Sequence, residues 1–129
     1  MELHRITESY SVTPQITAVD MAEIRAAGFV AVICNRPDSE VPEDLRAARI
    51  RVAAAAAGVD FHELPLTHDT MTPERIARQR QICQGAGGPV LAYCASGTRC
   101  TVVWALGEAG HRATDETLSM ARAAGYDLA

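Results

Sequence analysis

The tightest constraint on this chain is a short apolar run that breaks into a small-residue turn and then resumes at helical spacing. Pro89-Val-Leu-Ala-Tyr93 suits a buried strand, Cys94 to Arg99 is a turn, and residues 100–109 have the periodicity of a helix. A cysteine is thereby placed where a strand ends and a helix begins. The first turn of a helix carries unpaired N–H groups and a partial positive charge, which favour a thiolate or a bound oxyanion. Gly97 lets the backbone aim its amides inward, and Arg99 presents a planar, permanently charged fork to two oxygens of one anion. The expectation is a nucleophilic Cys94 beneath an anion cradle formed by Ala95, Ser96, Gly97 and Thr98. The plainer reading is a Cys94 inert in the core and an Arg99 in a surface ion pair.

The rest of the chain reads as support for that turn. Short strand-like pieces at residues 3–6 and 10–12 precede Pro14. Thr17-Ala-Val-Asp20 resembles a capping box, Val19, Ile24 and Ala27 make an apolar stripe, and Gly28 stops the helix. Residues 29–34 are continuously apolar, as in a parallel strand buried on both faces. A second helix is predicted over 42–57, a less buried strand over 59–64 and a third helix over 73–84, opened by Thr72 and Pro73. The last helix begins near Thr114 and closes at Gly125. Strand, helix and strand in alternation imply an α/β fold: one domain over residues 1–129, with a mostly parallel four- or five-stranded sheet flanked by helices. Loops 35–42 and 65–72 leave strands at the edge where such sheets bind ligands.

Charge and cysteine usage narrow the function. The net charge of −4 and the lack of a lysine-rich run exclude a nucleic-acid surface, which needs clustered cations. No apolar run approaches the roughly 18 residues of a membrane span, and the first residues lack a secretory apolar core. A cytoplasmic setting is expected. The four cysteines, at 34, 83, 94 and 100, have neither paired spacing nor histidines at zinc-ligand spacing, so they are expected as thiols with no metal and no organic cofactor.

Several of these segments carry a resemblance. Val12-Thr-Pro-Gln-Ile16, Gly28, Asn35-Arg-Pro-Asp38, Pro65, Tyr93-Cys-Ala-Ser-Gly-Thr-Arg99 and Ala124-Gly-Tyr-Asp127 make the chain similar to the phosphatase-like domain of the beta-lactamase-hydrolase-like proteins. That bacterial group is related in fold to dual-specificity phosphatases and is often labelled as sulfurtransferase. The resemblance implies a cysteine-phosphatase-like fold and a cysteine-dependent hydrolase of phosphate esters. Three departures stand beside it. Four residues separate Cys94 from Arg99, where cysteine phosphatases have five and rhodaneses four; Tyr93 stands where phosphatases usually have histidine; and Cys100 stands where they have serine or threonine. The alternatives are therefore a rhodanese-like sulfurtransferase carrying a persulfide on Cys94, and a non-catalytic anion-binding module.

Asp69 fits a general acid by its place in loop 65–72, against the plainer role of a turn aspartate. Arg36 and Asp38 are candidate substrate-binding residues; Asp38 is also the rival acid, though expected mainly to pair with Arg36, and Glu40 is expected to orient Arg99 or Arg36 or remain solvated. His68 is a candidate proton-transfer partner. Cys34 and Cys100 are candidate resolving thiols for Cys94, while Cys83 and Trp104 are read as packing residues. The partner implied is a small phosphorylated or sulfur-containing anion, or a phosphoprotein.

Overall fold

The computed structural model describes all residues, Met1–Ala129. Strands β1 (His4–Arg5), β2 (Tyr10–Thr13), β3 (Ala31–Cys34), β4 (Asp60–Glu63) and β5 (Val90–Tyr93) form one sheet in the order β1-β2-β5-β3-β4. Only the β1–β2 pair is antiparallel. This is the expected mostly parallel α/β sheet. Its central strand, β5, is wholly buried between β2 and β3, whereas the alternating segment 59–64 supplies the half-exposed edge strand β4.

Period-two alternation sorts the strand side chains into two layers. Tyr10, Val12, Ala31, Ile33, Val90, Ala92 and Cys94 face one core, completed by helices α3 (Pro73–Gly85), α4 (Thr98–Glu108) and α5 (Thr114–Ala123). Val32, Cys34, Leu91 and Tyr93 face the other, completed by α1 (Met21–Ala26) and α2 (Ala47–Ala57). Ile50 and Ile24 are fully buried there, each contributing about 1.5–3 kcal/mol of burial. Cys94 thus shares a face with the start of α4 because it is two residues beyond Ala92.

Local chemistry moved several expected boundaries. The strand at 3–6 shrinks to His4–Arg5. The Thr17 amide donates to the Asp20 carboxylate at 2.9 Å, but the first turn is a tight 3-10 turn over Ala18–Asp20. The buried pair on α1 is consequently Met21 and Ile24, while Val19 is 86% exposed and Ala27 is exposed. The helix expected over 42–57 begins only at Ala47, because Arg46 is extended at φ −65°, ψ 154° after a 3-10 turn at Glu43–Leu45. Its first amide, Ala47 N–H, donates to the Asp38 carboxylate at 2.9 Å. No helix is long and apolar enough to cross a membrane.

Candidate active site

The turn after β5 is built by the sheet on one side and by a glycine on the other. The Cys94 amide reaches the Thr13 carbonyl at 3.4 Å and the Asn35 amide reaches the Tyr93 carbonyl at 2.9 Å, so the ladder holds Cys94 between two neighbouring strands. Gly97 then caps α4 with φ +91°, a conformation that disfavours a side chain. A Cβ there would lie 2.2 Å from the Tyr126 hydroxyl oxygen. The helix starts at Thr98, two residues earlier than the periodicity suggested, which puts Arg99 in its first turn.

These constraints converge on the sulfur. The Gly97 amide donates to Cys94 Sγ at 3.1 Å. Cys94 is only 1% exposed, yet its thiol is brought down to about 5: the Cys100 side chain contributes most, and the amides of Cys100, Ser96 and Gly97 add to it against the opposing effect of burial. Cys100 itself is completely buried and its thiol is pushed far up, by burial and then by the Cys94 charge. The opposite directions of the two shifts favour a charged Cys94 beside a neutral Cys100. Position 100 retains a hydrogen donor although it is not serine or threonine. The hydroxyl of the next residue, Thr101, donates to the Gly97 carbonyl at 2.8 Å.

Arg99 is held by a fork of its own. Its two terminal nitrogens donate to the Glu40 carboxylate at 2.8 and 2.7 Å, and one also donates to the Leu66 carbonyl at 2.9 Å. Its side chain is 13% exposed, and Glu40 pushes its already high basicity further up. Reciprocally, Arg99 first and Arg36 next hold the Glu40 carboxyl below the usual range. Arg36 pairs with Glu40 at 3.3 Å and donates to Gln15 at 3.3 Å. The expected Arg36–Asp38 pair is absent because the Asp38 carboxylate is used by the start of α2. Glu40 is thus the shared anchor of both arginines while still exposed to solvent.

A buried polar chain ties this site to α3. The Tyr10 hydroxyl donates to the Cys100 carbonyl at 2.7 Å and accepts from the Gln79 amide at 3.1 Å. Gln79 exchanges hydrogen bonds with Asn35 at 2.9 and 3.0 Å, and Asn35 also donates to the Leu64 carbonyl at 2.9 Å. The Leu66 amide returns to the Asn35 carbonyl at 2.9 Å. Loop 65–72 is therefore pinned at its base to both Asn35 and Arg99. Beyond that base, His68 and Asp69 lie exposed in the 3-10 turn His68–Thr70 and make no side-chain hydrogen bond or ion pair.

Among the cradle residues, the Ser96 and Thr98 hydroxyls meet at 3.0 Å and Ala95 and Ser96 are exposed beside the buried sulfur. Cys34 is not brought to Cys94. It belongs to the opposite layer, where its thiol donates to the Arg36 carbonyl at 3.3 Å. Burial pushes it up, as it does Cys83, which reaches about 12. All four cysteines are unpaired. Trp104 packs in the core, 8% exposed and stacked with Tyr10 at 6.4 Å. A cavity of about 830 Å³ lies away from the thiolate, against Trp104, Cys83 and Arg112. Tyr10, Gln79 and Tyr126 escaped the sequence reading because their partners lie 90, 44 and 30 residues away.

Comparison with known proteins places the chain in a family. The model of the beta-lactamase hydrolase-like protein, phosphatase-like domain, matches residues 2–111. The beta-lactamase hydrolase-like protein of Agrobacterium fabrum strain C58 is 33% identical over 99% of this chain, which spans 30% of that relative. Its counterpart in Xylella fastidiosa strain Temecula1 is 28% identical, again over 30% of the relative's length. The chain thus spans less than a third of the length of these relatives. Among solved structures, a candidate phosphatase from Neisseria meningitidis Z2491 superposes with a TM-score of 0.86 at 35% identity, covering 99% of this chain and 92% of that one. TpbA of P. aeruginosa, solved with phosphotyrosine, shares the fold with a TM-score of 0.68 at 19% identity, over 95% of this chain and 74% of that one. This chain belongs to the phosphatase-like domain family of the beta-lactamase hydrolase-like proteins.

Proposed function

We propose that the domain is a cysteine-dependent phosphatase acting on phosphate esters. The observation that carries this reading is a thiolate at about 5 in a turn of inward amides, with a carboxylate-anchored arginine one helix turn away. Cys94 Sγ attacks phosphorus and the bond to the ester oxygen breaks; Asp69 gives its proton to that oxygen, so an alcohol or phenol departs. Water then attacks the phosphocysteine, Asp69 takes the proton, the S–P bond breaks and inorganic phosphate leaves. The amides of residues 95–99 and Arg99 stabilise the charge on the equatorial oxygens. Support for Asp69 comes from its loop, whose base is fastened to Arg99 through Leu66, and from its freedom from any competing partner. The phosphotyrosine held by TpbA makes a phosphorylated phenol a reasonable first substrate class.

One observation favours a second reading. The four-residue spacing between Cys94 and Arg99 is that of a smaller cradle, suited to a sulfane sulfur. In that case Cys94 attacks thiosulfate, sulfite departs, and the persulfide passes its outer sulfur to cyanide as thiocyanate. A purely anion-binding module would need no low-lying thiolate. The readings separate in steady-state assays of the unmodified protein and Cys94→Ser on an aryl phosphate and on thiosulfate with cyanide. The phosphatase reading expects aryl phosphate turnover that Cys94→Ser abolishes; thiosulfate turnover alone would replace it with sulfur transfer.

A further inference from the structure

The tail after α5 returns to the nucleophile turn, and its tyrosine touches the peptide that faces the sulfur. The Tyr126 hydroxyl donates to the Ser96 carbonyl at 2.9 Å. That carbonyl and the Gly97 N–H belong to one planar trans peptide, so they point in opposite directions. On the far side, the Gly97 N–H donates to Cys94 Sγ at 3.1 Å. The phenol, the peptide and the thiolate therefore form one chain of hydrogen bonds. A rotation of the peptide that turned the N–H off the sulfur would also break the bond to Tyr126. Donation to the carbonyl polarises the amide and makes its N–H a better donor.

We propose that Tyr126 is a positioning residue for the Cys94 thiolate, acting through the Ser96–Gly97 peptide. Its ring is itself fixed, edge-on to His4 with centroids 5.2 Å apart, and its amide donates to the Ala121 carbonyl at 2.9 Å. His4 Nδ1 in turn lies 2.9 Å from the Ala124 carbonyl oxygen, joining β1 to the tail. Gly97 is the complement of this clamp, since a Cβ there would occupy the hydroxyl's place. Burial first, then Cys100, Cys94 and Glu2, keep the phenol at about 12, so it remains a donor wherever Cys94 titrates.

The inference rests on Cys94 working as a thiolate, which thiol alkylation reports without any turnover. The test is the pH profile of Cys94 alkylation by iodoacetamide, read by peptide mass spectrometry, in the unmodified protein and in Tyr126→Phe. Loss of one hydrogen bond to the amide that faces the charge predicts a midpoint higher by about half to one pH unit and alkylation about two- to fivefold slower near the original midpoint. The melting temperature should barely move, because the phenol bond is exposed. A merely structural tyrosine would do the reverse. An unchanged midpoint overturns the proposal. Should Tyr126→Phe fold poorly, ring-carbon NMR of the unmodified protein decides: with three tyrosines in the chain, the Tyr126 signal should follow Cys94 ionisation and lose that step in Cys94→Ser. A signal blind to Cys94 overturns it equally. Absence of aryl phosphate turnover alongside a low Cys94 midpoint would remove the phosphatase reading and leave the clamp standing.

Discussion

Replacing Cys100 with alanine isolates the contact that most lowers Cys94. Cys100 is fully buried, its side chain is the largest contributor to the depressed Cys94, and its carbonyl is already satisfied by Tyr10. A hydrogen bond to a charged group contributes about 1.5–3 kcal/mol net, and a thiol, as a weak donor, belongs at the low end. Dividing by about 1.36 kcal/mol per unit gives a rise of about one unit. The Cys94 midpoint should then move from about 5 to roughly 6. At pH near 5.5 the thiolate fraction falls from about three quarters to about one quarter, a threefold loss in alkylation rate, while rates near pH 8 stay the same. Cys100→Ser, which keeps a donor, should stay close to the unmodified protein. Alkylation of Cys94 by iodoacetamide across pH, resolved by mass spectrometry, measures this directly. A Cys100→Ala profile superimposable on the original would refute the assignment of Cys100 as the donor.

Three further substitutions test the same contacts. Glu40→Gln weakens the fork that fixes Arg99, so kcat/KM on an aryl phosphate should fall about 10- to 100-fold in steady-state kinetics. Because Glu40 is held below its ordinary value of 4.5, its stabilising pair is complete above that pH and is lost as pH falls through the depressed value. Acid unfolding of Glu40→Gln should lack that step. Gly97→Ala must adopt φ +91° and meet the Tyr126 hydroxyl, which should cost about 1–3 kcal/mol in denaturant unfolding and slow Cys94 alkylation. Gln79→Leu strands a buried Asn35 oxygen and should cost about 1–3 kcal/mol while leaving the Arg99–Glu40 contact in place, checked by thermal melting.

The fold was legible because burial leaves a strong mark on strands. The uninterrupted apolar run of residues 29–34 became the buried strand beside β5, and the alternating run of residues 59–64 became the edge. The placement of Cys94 at the end of a buried strand and of Arg99 in the first turn of the next helix was legible for a related reason: an apolar run that breaks at a glycine turn and resumes at helical spacing marks both ends. What the sequence concealed was which acid serves which base. Asp38 and Glu40 are two residues apart and chemically alike, yet one caps α2 and the other grips two arginines. That choice depends on Arg46 being extended, which sets α2's first amide at Ala47, and no local pattern announces it. The helix expected from residue 42 failed for the same reason. Cys34 illustrates the parity rule for strands: it is level with Tyr93 in the ladder, so it shares that residue's layer and turns away from Cys94. Gln79 and Tyr126 act across the fold, where chain order carries no signal.

The central claim is that Cys94 carries a phosphoryl group during turnover, and rapid quench of Asp69→Asn with an aryl phosphate tests it most directly. With the carboxylate proposed to activate water removed, a phosphoryl adduct on the Cys94 peptide should accumulate and be absent from Cys94→Ser. Quench that yields no phosphocysteine while the phenol product is released, or that yields only a persulfide when thiosulfate is supplied, would contradict it.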